Sequence, residues 1–343
     1  MKKFFEWILS LTGIAVSILL VASWVSGFVN PVNNWMVSIL ALTFPYVFLI
    51  AIPFACWGLA VKKVKVWILI LLLLLTSTTF RKSFFNQSIS RSSPATNSFS
   101  LVTHNIGSSL EGNQRITWSF YKKTDADILC FQEWYEPSNA RPIKDSLLRH
   151  YKSTLTKNQN AWPIFTKYPI VQQGEIISKA IGNGLTWADI LYQKDTIRIY
   201  NVHLVSNRIS NQTEALMNGD NLRKKNIARR VFDVMKRYRN ALKIRVEQAR
   251  IIKTHMNTSP HPVILAGDFN DIPSSYVYRY LQKGLYDSFY ESGSGMAYTY
   301  AGKLPFLHID HVLYDHSYDC NDIQIKRVNY SDHFPVKVWM TKK

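Results

Sequence analysis

Three apolar runs fill the first eighty or so residues of this 343-residue chain, and no other feature restricts its fold as much. Phe5 to Val29 carries one charged side chain, Glu6; Trp35 to Val61 carries none; Val66 to Phe80 is shorter and dominated by leucine. A helix needs ~20 apolar residues to cross a bilayer, and ~17 at the least. The first two runs pass, and the third passes by taking in Val64 or the Thr and Ser residues around Thr79. Trp24, Trp35, Trp57 and Trp67 lie near the run ends, where interfacial anchors belong. A cleaved signal peptide fits poorly, because the first run is too long and two more follow. The expectation is a three-helix transmembrane anchor over residues 1–82, with helices at about 5–29, 35–61 and 64–80 and kinks at Pro45 and Pro53. Lys2 and Lys3 precede the first run and Lys62, Lys63 and Lys65 follow the second, whereas the "NPVNN" loop is uncharged. The positive-inside rule places those lysines in the cytoplasm and, after three crossings, the rest of the chain outside the cytoplasmic membrane, in the periplasm of a two-membrane cell. Arg81 and Lys82 run against that orientation, and a third run that failed to span would leave the rest inside.

Asn86 to Ser98, "NQSISRSSPATNS", is polar and Ser-rich, so residues 83–98 read as a linker and 99–343 as a globular domain. In that domain β-rich runs alternate with helical patterns, the mark of an α/β protein. "SLVTHNIG" runs into a glycine, "DADILCFQEW" ends at Gln132 and Glu133, and "TIRIYNVHL" ends near His203. "PVILAGDFND" ends in Asp268, Asn270 and Asp271, and "HIDHVLY" and "SDHFPVKVWM" follow. Polar groups gather at the strand ends each time. Strands are rigid scaffold and ligands bind where the loops begin, so these ends are expected to share one site.

Taken in order, "THNIG" at Thr103, "FQEW" at Phe131, "KYPI" at Lys167, "NVHL" at Asn201, "GDFND" at Gly267, "HIDHVL" at His308 and "SDHFPV" at Ser331 resemble the motifs of the endonuclease/exonuclease/phosphatase superfamily, the deoxyribonuclease I-like proteins. Each motif alone is weak; the ordered set, spanning residues 101–336, is specific. "SSYVYRYL" and "GSGMAYTYAG" resemble stretches of its membrane-anchored bacterial members. The resemblance implies an α/β four-layer sandwich of two packed mixed β-sheets flanked by helices, here preceded by the bundle of three transmembrane helices. It also implies hydrolysis of a phosphate ester by metal-assisted attack of water, with Mg²⁺ as cofactor and Mn²⁺ as the alternative.

By resemblance, Glu133 is the main metal ligand, Asn105 holds metal or phosphate beside it, and Asp332 is a carboxylate near the metal. His333 matches the base that takes a proton from water, and Asp310 the carboxylate that orients it. Asp268 and Asn270 match residues that position the nucleophile or leaving group and bind the phosphate, and His203 matches a phosphate-contacting or acid-side histidine. The residue types suit this chemistry, since Mg²⁺ prefers oxygen ligands and imidazole titrates near neutral pH. Alone, each residue has a plainer reading: Glu133 a solvated carboxylate, Asn105 a turn residue, His203 a structural histidine, Asp268 and Asn270 caps of a helix starting near Pro273. The chain departs from the abasic-site enzymes in having His104 where they place tyrosine, and "NVHL" is nearer to the deoxyribonuclease I, sphingomyelinase and phosphatase branches. His308 and His311 stand where Arg and Tyr are common. No compact His/Cys set of the kind that holds zinc is visible.

The chain carries 41 Lys and Arg against 23 Asp and Glu, a net charge of +18, which favours a polyanionic substrate or an anionic membrane surface. Residues 205–253 supply half of that surplus, with 13 basic side chains against 4 acidic ones. Ile227, Val231, Val234, Tyr238, Leu242, Val246, Ala249, Ile252 and Met256 recur in steps of three and four, the pattern of one long amphipathic helix. Its basic face, from Arg223 to Arg250, fits a phosphate-tracking surface, a contact with lipid headgroups, or a face that is merely solvated. Cys56, Cys130 and Cys320 form no CxxC pair and read as structural. The expected protein is a multi-pass, membrane-anchored, metal-dependent phosphodiesterase with nucleic acid as the favoured substrate. A phospholipid, sphingomyelin or inositol-phosphate esterase is the alternative and an inactive binding module a second one; no protein partner is implied.

Overall fold

The computed structural model describes residues 1–62, 66–88, 97–107, 114–134, 141–154, 161–177, 184–206, 224–302, 306–329 and 331–343. The apolar runs form α1 (Lys2–Ser26), α2 (Trp35–Ala60) and α3 (Val66–Ser83), each long and apolar enough to cross a membrane. The helix α3 reaches 18 residues by carrying on through its Thr- and Ser-rich end. Thr76 Oγ1 donates to the Leu72 carbonyl and Ser77 Oγ to that of Leu74, both at 2.7 Å. A hydroxyl paired within its own helix leaves little polar cost in an apolar medium. The helix α2 runs unbroken through Pro45 and Pro53. Leu20, Phe44, Phe48 and Ala51 close the bundle, and Phe48 stacks on Phe80 of α3 at 4.1 Å. Lys63 and Lys65 lie outside the described residues.

Then follow β1 (Phe85–Gln87), β2 (Ser98–Asn105), α4 (Gln114–Thr124), β3 (Ile128–Gln132), α5 (Arg141–His150), β4 (Lys152–Ser153), β5 (Ile164–Thr166), β6 (Ile170–Ile177), β7 (Gly184–Tyr192) and β8 (Asp195–His203). The expected long helix is α6 (Lys224–Asn257), and after it come β9 (Val263–Asp268), α7 (Tyr276–Gln282), β10 (Tyr286–Asp287), α8 (Ser288–Ser292), β11 (Ser294–Met296), β12 (Asp310–Tyr314), β13 (Tyr318–Ile325) and β14 (Val336–Lys342). One six-stranded sheet has the order β10-β12-β9-β8-β7-β6 and the other β13-β14-β2-β3-β5-β4. Both are mixed: β2–β3 and β8–β9 are parallel, joined by crossovers that contain α4 and α6, and the remaining pairs are antiparallel. Side chains alternate across each strand. In β2, Leu101 enters the core between the sheets and Val102 the core beneath α4 and α5. The sheet that contains β9 carries α6 and α7 on its outer face through Leu242, Ile252, Val277 and Leu281. Coverage on both faces explains why β3 and β9 are buried throughout. The architecture is the four-layer sandwich.

The three-helix bundle is packed on the sandwich. Trp35, Ile39 and Leu42 of α2 join the layer of α6 and α7. Ser274 Oγ donates to the Ala41 carbonyl at 2.7 Å and Tyr238 Oη to that of Ser38 at 3.4 Å. The segment expected to be a linker is tied down where it begins: β1 pairs with β11, and the buried Asn86 amide donates to the carbonyls of Phe289 and Tyr290, both at 2.8 Å. Arg81 lies over the Tyr290 ring at 4.7 Å and donates to Asn86 Oδ1 at 2.7 Å, so the domain holds this cation at the end of α3. Residues 89–96 lie outside the described residues.

Candidate active site

Register assembles the site. In one sheet Asp268, at the end of β9, is opposite His203 of β8 on one side and Asp310 of β12 on the other. In the other sheet Asn105 ends β2 beside Gln132 of β3, and Glu133 follows at once. Asn105 Nδ2 spans the two sheets, donating to Asp268 Oδ2 at 3.0 Å and to Glu133 Oε1 at 3.2 Å. Beneath it, Gln132 Nε2 donates to Asn201 Oδ1 at 2.6 Å, and Asn201 Nδ2 donates to the carbonyls of Phe131 and Pro163 at 2.7 and 3.0 Å. A buried polar bridge of this kind holds the two sheets at one spacing.

His333 and Asp310 are paired through both carboxylate oxygens. His333 Nδ1 donates to Asp310 Oδ2 at 2.9 Å and lies 3.1 Å from Oδ1, while Nε2 faces Asp268 Oδ2 at 3.8 Å. Burial works against charge on this ring, but the carboxylates of Asp310 and Asp268 overcome it and push its pKa up to about 10. Burial raises the Asp268 carboxyl; Asp310 adds to the rise, and the two histidines oppose it. Asn270 sits in the left-handed region at φ 50, donating its backbone N–H to Asp268 Oδ1 at 2.8 Å. Its side chain donates to Asp268 Oδ2 at 3.1 Å and to the Leu204 carbonyl at 3.0 Å. Asp268 and Asn270 do not cap a helix; the cap is Ser275, whose Oγ accepts from Tyr278 N. Glu133 also has a left-handed backbone, φ 56. Such outliers in non-glycine residues concentrate at functional sites.

His203 is held as one tautomer. The indole N–H of Trp162 can only donate, and it meets His203 Nδ1 at 3.3 Å. The proton of the neutral ring is therefore on Nε2. Burial lowers this imidazole's pKa, which keeps it neutral. His203 Nε2 is buried with no hydrogen-bond partner, facing Glu133 Oε1 at 3.5 Å and Asp268 Oδ2 at 3.7 Å. A buried donor without an acceptor is costly, so this one fits an oxygen of a ligand.

Two groups of donors lie near this point. A Cβ on Gly107, whose φ is +33, would lie 3.5 Å from Glu133 Oε2 and 3.6 Å from Asn105 Oδ1 and Asp332 Oδ1. Three oxygens around one small space suit a hard divalent cation. Asp268, Asp310 and His333 also bring ligand atoms within 4.8 Å of one another. There the Asp310 carboxylate already accepts the imidazole proton, so of the two groups the first has the oxygens that could hold a cation. Glu133, Asn105, Asp332, Asp268, Asn270, Asp310, His203 and His333 all lie at this one edge of the sandwich. Sequence reasoning missed Trp162, and it quoted Gly107 and Ser331 within "THNIG" and "SDHFPV" without giving them a role. Ser331 Oγ donates to the Asn105 carbonyl at 2.8 Å and accepts from His333 N at 3.1 Å. Trp162 and Ser331 make contacts that join distant segments, and no local pattern shows such contacts.

The model of the Endonuclease/Exonuclease/phosphatase family matches residues 102–333. Residues 2–83 match a family described only as a domain of unknown function. A search of curated proteins finds no match. Among solved structures, humanized D. rerio TDP2 is similar with a TM-score of 0.54 at 15% identity, covering 72% of this chain and 100% of its own. An endonuclease/exonuclease/phosphatase family protein from Bacteroides thetaiotaomicron is similar with a TM-score of 0.53 at 17% identity, covering 73% and 98%. A mannosyl-6-phosphatase from the same organism gives 0.53 at 17%, covering 71% and 99%. Identity this low speaks to the fold.

Proposed function

The chain belongs to the endonuclease/exonuclease/phosphatase family, and on that footing we propose that it hydrolyses phosphodiesters at a membrane surface. The observation that carries the reading is the His333–Asp310 pair, with Nδ1 engaged at 2.9 Å and Nε2 turned to the space beside Asp268. In its neutral form His333 offers Nε2 to the water, and Asp310 steadies the imidazolium that forms when water gives up its proton. Asn270 and Asp268 orient the water or the leaving oxygen. The Nε2–H of His203, fixed by Trp162, donates to a phosphoryl or leaving-group oxygen. A Mg²⁺ ion, or Mn²⁺ in its place, held by Glu133, Asn105 and Asp332 would neutralise charge on the phosphoryl oxygens.

The positive charge of the chain favours a polyanion such as nucleic acid. The position of the site favours a different source for the phosphodiester. Ser274, soon after Asn270, bonds to Ala41 of α2, and His308 Nδ1, just before Asp310, donates to the Lys82 carbonyl of α3 at 2.7 Å. The two strand ends that bear Asp268 and Asp310 thus face the anchor, which suits a phosphodiester carried by a membrane lipid. The sandwich sits at the bundle end formed by Ser26, Trp35 and Ser83, opposite Lys2 and Lys62. With those lysines in the cytoplasm, the domain lies outside the cytoplasmic membrane.

The test uses the full chain in lipid nanodiscs. With Mg²⁺ it should hydrolyse a small chromogenic phosphodiester, and Glu133→Ala and His333→Ala should each lower kcat by ~10²–10⁴. Full activity in either variant, or activity indifferent to a chelator, overturns the mechanism. A panel of phosphatidylcholine, sphingomyelin, DNA, RNA and inositol phosphates then assigns the leaving group; cleavage of nucleic acid alone overturns the lipid reading and leaves the mechanism standing.

A further inference from the structure

The basic helix α6 has more length than the sandwich uses. Its 34 residues span about 50 Å, whereas β9, to which it returns, has 6 residues and spans about 20 Å. Leu242, Ala249, Ile252 and Met256 pack its C-terminal half on the sheet. At the site end of the sheet, buried Arg245 donates to the Val205 carbonyl at 3.3 Å, and Gln248 Oε1 accepts from Val205 N at 3.0 Å. The helix before Arg245 continues past the sheet on the side where the anchor is packed. There Tyr238 meets the carbonyl of Ser38, in the first turn of α2 beside Trp35. Tryptophan at the end of a membrane span marks the headgroup layer.

Opposite the packed face, Arg229, Phe232, Lys236, Arg239 and Lys243 follow one another in steps of three and four and are all exposed; in sequence the spacing reaches back to Lys225. At 3.6 residues per turn they form one stripe. Phe232, among these cations, is 66% exposed. A face meant only for water has no use for an uncovered phenyl ring among cations, whereas an interfacial helix combines the two: cations meet lipid phosphates and an aromatic ring enters the acyl boundary. Lys236 and Arg239 lie within one turn of Tyr238, hence close to the height of Ser38.

We propose that the stripe Arg229–Phe232–Lys236–Arg239–Lys243 of α6 is a binding surface for the anionic headgroups of lipids surrounding the anchor. It stands independently of the catalytic reading, since none of these residues belongs to the site. It holds the N-terminal half of α6 on the bilayer and fixes the orientation of the sandwich above it.

The full chain in nanodiscs provides the test. Cys56 is exposed while Cys130 and Cys320 are buried, so Cys56→Ala leaves Phe232→Cys as the position to label with an apolar fluorophore. In discs of phosphatidylcholine with phosphatidylglycerol, lipids spin-labelled near the headgroup should quench the label, and discs of phosphatidylcholine alone should quench it much less. Lys236→Glu, Arg239→Glu and Lys243→Glu together should abolish the difference, because each cation lost weakens docking about fivefold, about a hundredfold for three. Salt should act in the same direction. Hydrolysis of the small phosphodiester reports that the variant is folded. Equal quenching in both lipid compositions, or in wild type and variant, overturns the proposal. So does a label that duplex DNA protects and lipid does not, which would assign the stripe to nucleic acid.

Discussion

His104 shows how a site residue is positioned from behind. Its Nε2 lies 3.1 Å from the His333 carbonyl, which can only accept, so the proton is on Nε2 and Nδ1 accepts from the Tyr121 hydroxyl. Burial pushes its pKa down to about 3, with smaller opposing effects from its carbonyl partner. A histidine that refuses its proton when folded, against an ordinary value near 6.5, loses stability as pH falls from ~6.5 towards ~3, by ~1.4 kcal/mol per pH unit at most. His104→Gln has no such titration. The stability gap between wild type and variant, from urea unfolding of the solubilised protein, should therefore narrow by about that slope between pH ~6 and ~4. A gap independent of pH would show that the ring is not held neutral. In the sequence His104 stands out only as a departure from a motif, because its partner His333 is 229 positions away.

Among the elements, the β8–β9 pair sets the spacing of the site. Gly267 has φ +144, and a Cβ there would lie 2.0 Å from the Val202 carbonyl oxygen. The glycine of "GDFND" thus answers to a backbone approach that brings His203 opposite Asp268. Gly267→Ala should cost about 2–4 kcal/mol in unfolding free energy, from backbone strain and forced separation of the strands. It should also reduce turnover, since Asp268 and His203 would move apart. Wild-type stability in this variant would mean that the strands can part freely. The strand itself is plain in the sequence as an apolar run before polar residues; the closeness of its neighbour is not.

For the whole molecule, the seating of the sandwich on the helix bundle fixes which way the site faces. Gly27, just after α1, faces Ser274: an added Cβ would lie 2.0 Å from the Ser274 carbonyl oxygen and 2.8 Å from Arg279 Nε. Arg279 in turn lies over the Phe28 ring at 4.1 Å and donates to Thr79 Oγ1 of α3 at 3.1 Å. Gly27→Val should unseat the domain while leaving both halves folded. Hydrolysis of a lipid phosphodiester in nanodiscs should fall more than about tenfold, as expected when effective concentration at the surface is lost, and hydrolysis of a small soluble phosphodiester should hold. Equal loss of both activities would show damage to the site itself.

Local pattern was enough to reveal the three apolar helices, the alternation of strands and helices behind them, and the identity of the residues that gather at one edge. These depend on short-range periodicity, on the length an apolar run needs to span a bilayer, and on motifs whose order survives in the chain. The folded chain was needed to show that Trp162 fixes the tautomer of His203, that Asn201 and Gln132 bridge the sheets, and that β1 clips the end of α3 to β11. The way the site faces also follows from packing alone. The linker looked like free chain because Phe85–Gln87 offers too short a pattern to read as a strand, and its partner lies some two hundred residues on. Contacts of that range are chosen by the packing of the whole fold, and no window of sequence contains both sides of them.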